Sequence, residues 1–177
     1  MARFERVSKY SNSEINMPQR KTVKSAGYDF EVLEDTLVEP YTHLSLVLSN
    51  EIGFYRPVTL DEVAAATKKS QAKPTLVPTG MKCQLADDEY LELSIRSSGP
   101  LKHWLMLANS VGIIDADYYN NPDNEGHIYF QIINLSPVPI QLKKGDIIGQ
   151  GIIHKYITTE DDCANGERKG GFGSTSE

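Results

Sequence analysis

In the stretch ANSVGIIDADYYNN, residues 108–121, a carboxylate and a phenol ring stand three residues apart, Asp115 and Tyr118. A carboxylate so placed can take a proton from water, and an aromatic ring beside it can select a ligand by shape. Ahead of them HWLML (103–107) has the composition of a buried strand, Asn109, Ser110 and Gly112 carry turn chemistry, and Ile113 and Ile114 resume a strand. The pattern predicts a hairpin whose backbone N–H and C=O groups can pair with a planar ligand. Period-two alternation would put Asp115 and Asp117 on one face and Ile114 and Ala116 on the other. On these residues alone, a solvated hairpin with an acidic end is the simpler reading.

Other stretches carry chemistry of their own. In SAGYDFEVL (25–33) Asp29 sits between Tyr28 and Phe30, where a half-buried carboxylate needs a partner or a cation. RSSGPL (96–101) ends a strand with an arginine, two hydroxyls, a glycine and a proline, which suits either an anion cradle or a polar turn. Gln150 lies between Gly149 and Gly151, small residues that let a ligand or another backbone approach. The tail is rich in Gly and Ser, the composition of a disordered end, yet it holds one aromatic residue, Phe172.

The elements that must hold these groups are short and numerous. The chain has 177 residues, 40% hydrophobic and 24% charged, enough for one globular domain with a real core. Thirteen glycines and nine prolines among short apolar runs predict many turns and strands. Strands are expected over 2–7, 25–33, 75–77, 81–86, 90–95, 127–135 and 147–153. A strand pair is expected over 37–48 around Pro40, with Leu44, Leu46 and Leu48 on one face, and 138–142 is expected to pair with 127–135. Only TLDEVAAATKK (59–69) reads as a helix. Thr59 and Glu62 form a capping box, Leu60, Val63, Ala64 and Thr67 make an apolar stripe, and Lys68 and Lys69 close it. Segment 50–74 therefore reads as a helical insertion into an all-β body.

A net charge of −6 argues against binding nucleic acid. Cys83 and Cys163 lie far apart and the four histidines are dispersed, so a zinc site is not expected and reduced thiols in the cytoplasm are. No apolar run approaches the length of a membrane span.

Taken in order, five stretches resemble the five motifs of the trimeric all-β dUTPase family. They are AGYD (26–29), RSSG (96–99), NSVGIIDADY (109–118), GDIIGQ (145–150) and GGFGST (170–175). The resemblance spans nearly the whole chain outside 50–74. It implies a jelly-roll-like β domain over 1–157 and a mobile C-terminal arm over 158–177 that completes a neighbouring subunit's active site in a homotrimer. It also implies hydrolysis of dUTP to dUMP and pyrophosphate with Mg²⁺.

In that resemblance Asp115 is the catalytic carboxylate, orienting and deprotonating the attacking water and bonding the sugar 3′-OH. Tyr118 packs against the deoxyribose where a 2′-OH would have to fit. Backbone groups from Asn109 through Gly112 to Ile114, with the Asn109 amide, pair with uracil and reject cytosine and thymine. Ser97, Ser98, Gly99 and Gln150 hold the phosphates and Arg96 adds positive charge. Mg²⁺ is held mainly by phosphate and water, with Asp29 acting on it indirectly through water. Phe172 stacks on the uracil as the tail closes, and Gly173, Ser174 and Thr175 close with it over the phosphates.

The chain departs from the family pattern in the fifth motif, which usually reads R-G-x-G-G-F-G. Glu167 stands at the arginine position and Arg168 one residue late, so that Arg168, or else Lys169, is expected to meet the terminal phosphate. Two rival readings are a dCTP deaminase of the same fold, which needs a Glu near the base, and a nucleotide-sensing regulatory protein. The insertion resembles the extra segment of some phage-borne dUTPases that bind and disable a repressor protein, which makes 50–74, with Phe54 and Tyr55 ahead of the helix, a candidate partner platform. A phage-encoded member would work in its host's cytoplasm.

Overall fold

The computed structural model of the chain describes residues 1–53, 56–168 and 170–171. Among these, the body is an all-β, jelly-roll-like arrangement of antiparallel sheets. The largest runs in the order β2 (Tyr28–Glu31), β11 (Ile147–Lys155), β6 (Glu89–Ile95), β8 (Gly112–Asp115). A second has the order β4 (Thr75–Pro78), β9 (Tyr129–Asn134), β7 (Leu105–Leu107). β1 (Arg3–Arg6) pairs with β5 (Met81–Gln84), and β3 (Thr36–Val38) with β10 (Ile140–Leu142).

Alternation along β6 and β9 turns Leu91, Leu93, Phe130 and Ile132 inward, where all are buried. The two larger sheets meet through the rings of Phe30 and Phe130, 5.7 Å apart. That contact needs Gly149 on β11, because a Cβ there would lie 2.1 Å from Phe130 Cε1. Gly151 makes room in the same way for Leu91 and Phe30. The glycines beside Gln150 thus admit the protein's own core and not a ligand, contrary to the expectation from sequence.

Three expected pairings differ. The segment after Pro40 is a helix, α1 (Tyr41–Ile52), where strands were expected. Its Leu44 and Leu48 are half-buried while Leu46 is exposed, so the alternating leucines conceal a stripe of Tyr41, Leu44, Leu48 and Ile52. β10 pairs with β3 and not with β9. β7 and β8 do not form a hairpin: β7 pairs with β9 and β8 with β6, so residues 108–111 carry the chain from one sheet to the other. Ser110 makes that turn with a left-handed φ of 62°.

The expected helix is present as α2 (Leu60–Ser70), with the Thr59–Glu62 capping box closed in both directions. It is not the only helix, and its packing face is not the expected stripe: Val63, Ala66, Thr67 and Ser70 are half-buried, and Leu60 and Ala64 face out. α1 and α2 pack on each other, joined by the Lys69–Glu51 ion pair at 2.5 Å. Neither helix buries a residue fully. The inserted unit therefore spans both helices and begins earlier than residue 50. Phe54 and Tyr55 lie outside the described residues.

His127 ties the end of β9 to the β4–β5 turn. Its Nε2 accepts the Gly80 N–H at 2.8 Å, and burial pushes the imidazole down to about 4. As pH falls below 6.5 the unfolded chain takes up a proton that the folded chain refuses, so stability drops between pH 6.5 and about 4 and the loss stops below that. The loss is on the order of 3 kcal/mol. Urea unfolding at fixed protein concentration will show this slope, and His127→Gln, which keeps an acceptor but cannot titrate, will flatten it. At the sheet contact, Gly149→Ala will lower stability by ~1–3 kcal/mol through overpacking, read as a lower urea midpoint.

Candidate active site

The change of sheets at 108–111 leaves two strand edges. β8 ends the four-stranded sheet and β7 ends the three-stranded one, so each offers one side without a strand partner among the described residues. A cavity of about 220 Å³ opens beside β8, with Leu107 as its one residue from β7. Leu107, Asn109 and residues 112–115 form one wall, and His127, Tyr129 and Gln131 form another. Gly112 keeps that wall low, since a Cβ there would crowd Leu93 at 3.2 Å.

Asp115 caps a 3₁₀ turn, Ala116–Tyr118, which ends the strand alternation and swings Tyr118 inward. Tyr118 is 6% exposed. Burial raises its hydroxyl's pKa, which keeps it protonated. The hydroxyl donates to His127 O at 3.0 Å and accepts from Asn124 Nδ2 at 2.8 Å. Asp115 stays about half exposed at the cavity mouth.

Arg168 lies across this mouth. Its Nη2 contacts Asp115 Oδ2, its Nε donates to Asp117 Oδ1 at 2.6 Å, and its guanidinium stands 5.8 Å from the centre of the Tyr118 ring. Asp115 and Asp117 thus share a partner through the turn and not through a strand face. Gly171 packs on the ring, where a Cβ would come within 2.8 Å of Tyr118 Cε2.

The remaining expected residues gather elsewhere on the chain. Arg96, Ser98 and Gly99 border a second cavity of about 320 Å³ with His103 and Asp146. RSSG does not end in a simple polar turn: it enters a short helix, α3 (Ser98–His103), with Ser97 at its start, and Gly99 is needed because a Cβ would meet Ile95 at 2.6 Å. Arg96 Nε is 3.6 Å from Asp29 Oδ1, and Asp29 faces Gln150 across β2 and β11. The other oxygen, Asp29 Oδ2, is buried without a hydrogen-bond partner. Asp115, Tyr118, Asn109, Gly112, Ile114 and Arg168 are brought together; Arg96, Ser98, Gly99, Asp29 and Gln150 form a separate group. Lys169, Phe172, Gly173, Ser174 and Thr175 lie outside the described residues.

Sequence reasoning missed His127, Tyr129 and Gln131, which are marked only by alternation along an apolar strand. It also passed over Asn121 and Asn124, which stand in a loop of ordinary polar composition. Among the described residues no group of three or more His, Cys, Asp or Glu could hold a metal by itself. No helix among them is long and apolar enough to cross a membrane.

Comparison with known proteins bears on this geometry. A family model described as dUTPase matches residues 61–176. The chain is 38% identical over 174 residues to the deoxyuridine 5′-triphosphate nucleotidohydrolase of Lactococcus lactis, covering 97% of this chain and 95% of that protein. Its structure is similar to the crystal structure of dUTPase from Streptococcus mutans, with a TM-score of 0.68 and 33% identity over 89% of this chain and 98% of that one. The dUTPase from phage phi11 of S. aureus, described as having a species-specific insert, shares the fold at a TM-score of 0.62 and 16% identity, over 94% of this chain and 97% of that one. With a matching family model and a relative aligned end to end, the chain belongs to the dUTPase family.

Proposed function

We propose that this dUTP nucleotidohydrolase binds the deoxyuridine part of its substrate in the cavity between β8 and the outer side chains of β9 and activates water on Asp115. The observation that carries this reading is the cavity itself: one strand edge, one exposed carboxylate and one buried ring on a family framework. A sheet edge presents N–H and C=O groups at fixed spacing, which suits the alternating acceptors and donor of uracil. Cytosine would set an amino group against a donor, and the 5-methyl of thymine would strike the wall. Tyr118 closes the space a 2′-OH would need. Asp115 takes a proton from the attacking water, and the α–β phosphoanhydride breaks to release pyrophosphate and leave dUMP.

The second group, Arg96, Ser98, Gly99 and Gln150, is read as the phosphate half-site. Its separation from the Asp115 cavity on one chain supports a homotrimer in which each active site joins two or more subunits. Residues 158–177 then serve as an arm over 1–157, with Arg168 leaving Asp115 for the terminal phosphate and Phe172, Gly173, Ser174 and Thr175 following. Exchange of Arg168 between carboxylates and phosphate keeps its charge paired in either position.

The donor set fits Mg²⁺ held chiefly by the triphosphate and water. Asp29, with one buried oxygen lacking a hydrogen-bond partner, is the residue suited to accept from a metal-bound water. Bound there, Mg²⁺ would offset phosphate charge and align the chain for attack. A dCTP deaminase is less well supported, because no Glu lines the cavity among its described residues. The fold and reaction suit the cytoplasm.

For the inserted helices we propose a partner-binding role of the repressor type, separable from catalysis and from any nucleotide-sensing use of the site. Support comes from an apolar groove of about 330 Å³ between α1 and the body, bordered by Leu44, Leu48, Ile52 and Ile133. Pro40 bridges Asn134 and Thr75 pairs with Ile132, so the two ends of the unit meet β9 two residues apart.

Asp115→Asn will keep nucleotide binding and lower kcat on dUTP by ~10²–10⁴, the usual worth of a positioned base. Pyrophosphate release and calorimetry with a non-hydrolysable analogue will separate the two effects. More than a third of wild-type kcat would remove Asp115 from the role, and ammonia release from dCTP would favour the deaminase. Replacing 41–73 with a short Gly/Ser loop is expected to leave a folded enzyme with near-normal dUTP turnover and no binding to a repressor-type partner. Loss of the trimer would instead assign the helices to the architecture.

A further inference from the structure

We propose that Asn124 is a positioning residue that sets the enzyme's choice of sugar by clamping the Tyr118 ring. The inference rests on the reading that Tyr118 faces the deoxyribose. Deoxyribose differs from ribose by one missing oxygen, so the wall that detects the difference must be held to well under an ångström. A ring fixed only at its Cα can swing. This one is also fixed at its far end, where Oη gives its proton to His127 O and takes one from Asn124 Nδ2.

The clamp is itself held. Asn124 Oδ1 accepts from Asn121 Nδ2 at 2.9 Å and from the Gly126 N–H at 3.0 Å, which leaves only its NH₂ to face the phenol. Asn121 Oδ1 in turn accepts the Asn124 N–H at 3.2 Å, and Asn121 Nδ2 donates to Tyr118 O at 2.8 Å. The network therefore starts at the backbone of Tyr118 and returns to its hydroxyl. The backbone is shaped for it: Asn120 and Glu125 take left-handed φ values of 55° and 60°. Gly126, at φ +80°, lies so close that a Cβ would be 2.6 Å from Tyr118 O. Such conformations are unfavourable for side-chain-bearing residues, and here the buried and part-buried bonds of Asn121 and Asn124 offset them.

Asn124→Asp tests the one bond at issue. The substituted side chain keeps Oδ1 for Asn121 and Gly126 and sets an oxygen against Oη in place of the N–H. The phenol must then turn its proton to the carboxylate and abandon His127 O, or stand against a second lone pair. In both cases the hydroxyl keeps one of its two anchors and loses the other.

The measurement is kcat/KM for dUTP and for UTP in the wild type, Asn124→Asp, Tyr118→Phe and Tyr118→Ala, each with Mg²⁺. We expect the UTP:dUTP ratio to rise at least tenfold in Asn124→Asp and in Tyr118→Phe, and further in Tyr118→Ala. A merely structural role would lower both substrates together and leave the ratio where it was. An unchanged ratio in Asn124→Asp, beside a raised one in Tyr118→Ala, overturns the clamp and leaves the sugar reading intact. An unchanged ratio in Tyr118→Ala overturns the sugar reading and the clamp with it. Should Asn124→Asp not fold, Tyr118→Phe removes this bond together with the one to His127 O; a raised ratio there supports the clamp at the hydroxyl and an unchanged one overturns it.

Discussion

Everything at the candidate site depends on the chain leaving one sheet for another between β7 and β8. Had residues 108–111 closed a hairpin, the two strands would have satisfied each other's backbone groups and the cavity would not exist. Because β7 keeps to β9 and β8 to β6, one edge of each remains without a strand partner among the described residues. Unpaired edges are usually a liability, covered or charged to prevent association. Here the β8 edge borders an open cavity, and Gly112, where a Cβ would crowd Leu93, keeps its wall low. Backbone at such an edge can read a ligand with groups that no mutation changes, and under the proposed reading base selection would be a property of topology more than of side chains.

Charge imposes the second constraint. The chain carries a net −6 and acts on a polyanion, so its positive groups must be local and must not be idle. Arg168 shows how this is managed: it lies between Asp115 and Asp117, with its side chain 16% exposed, and offsets carboxylates that would otherwise repel a triphosphate. Arg96 is paired with Asp29 in the same fashion. Each arginine thus has a carboxylate partner on its own chain, and for each the proposed ligand is a phosphate. Exchange of one anionic partner for another avoids a state in which either charge is both buried and alone.

How much of this was legible depended on whether the signal was local. The α2 capping box involves residues three apart, and it formed as read. The strands expected over 2–7, 25–33, 75–77, 81–86, 90–95, 127–135 and 147–153 all formed, as β1, β2, β4, β5, β6, β9 and β11. α1 was misread because Leu44, Leu46 and Leu48 satisfy a period of two while Tyr41, Leu44, Leu48 and Ile52 satisfy a helix, and the contact that selects the helix is α2. The false hairpin at 108–112 had the right turn residues, but pairing partners are chosen by distant strands that no local pattern names. Asp115, Tyr118 and Asn109 were found because their types and spacing carry chemistry. His127 and Asn124 were not, since nothing in their neighbourhood distinguishes a residue that steadies a site from one that decorates a loop. Gly149 misled in the opposite sense: a glycine by a site residue suggested ligand access, and Phe130 fills the space.

The body and the insertion meet on one strand. On β9, Tyr129, Gln131 and Ile133 alternate outward while Phe130, Ile132 and Asn134 are buried. Tyr129 and Gln131 line the candidate-site cavity, and Ile133, two residues on, lines the groove under α1. The insertion is anchored to the same strand at Asn134 and Ile132. A shift of β9 that altered the groove would therefore alter the cavity wall, with no intervening element to absorb it. Linkage is reciprocal: a partner that favoured one position of this strand would change nucleotide affinity by the same factor that nucleotide changed the partner's. The rigid inner face of β9, locked by Phe130 against Gly149 and by Asn134 Nδ2 donating to Val38 O at 3.1 Å, limits how large that shift can be. Any such coupling is accordingly confined to the outer side chains and the edge strands beside them, where the candidate site already lies.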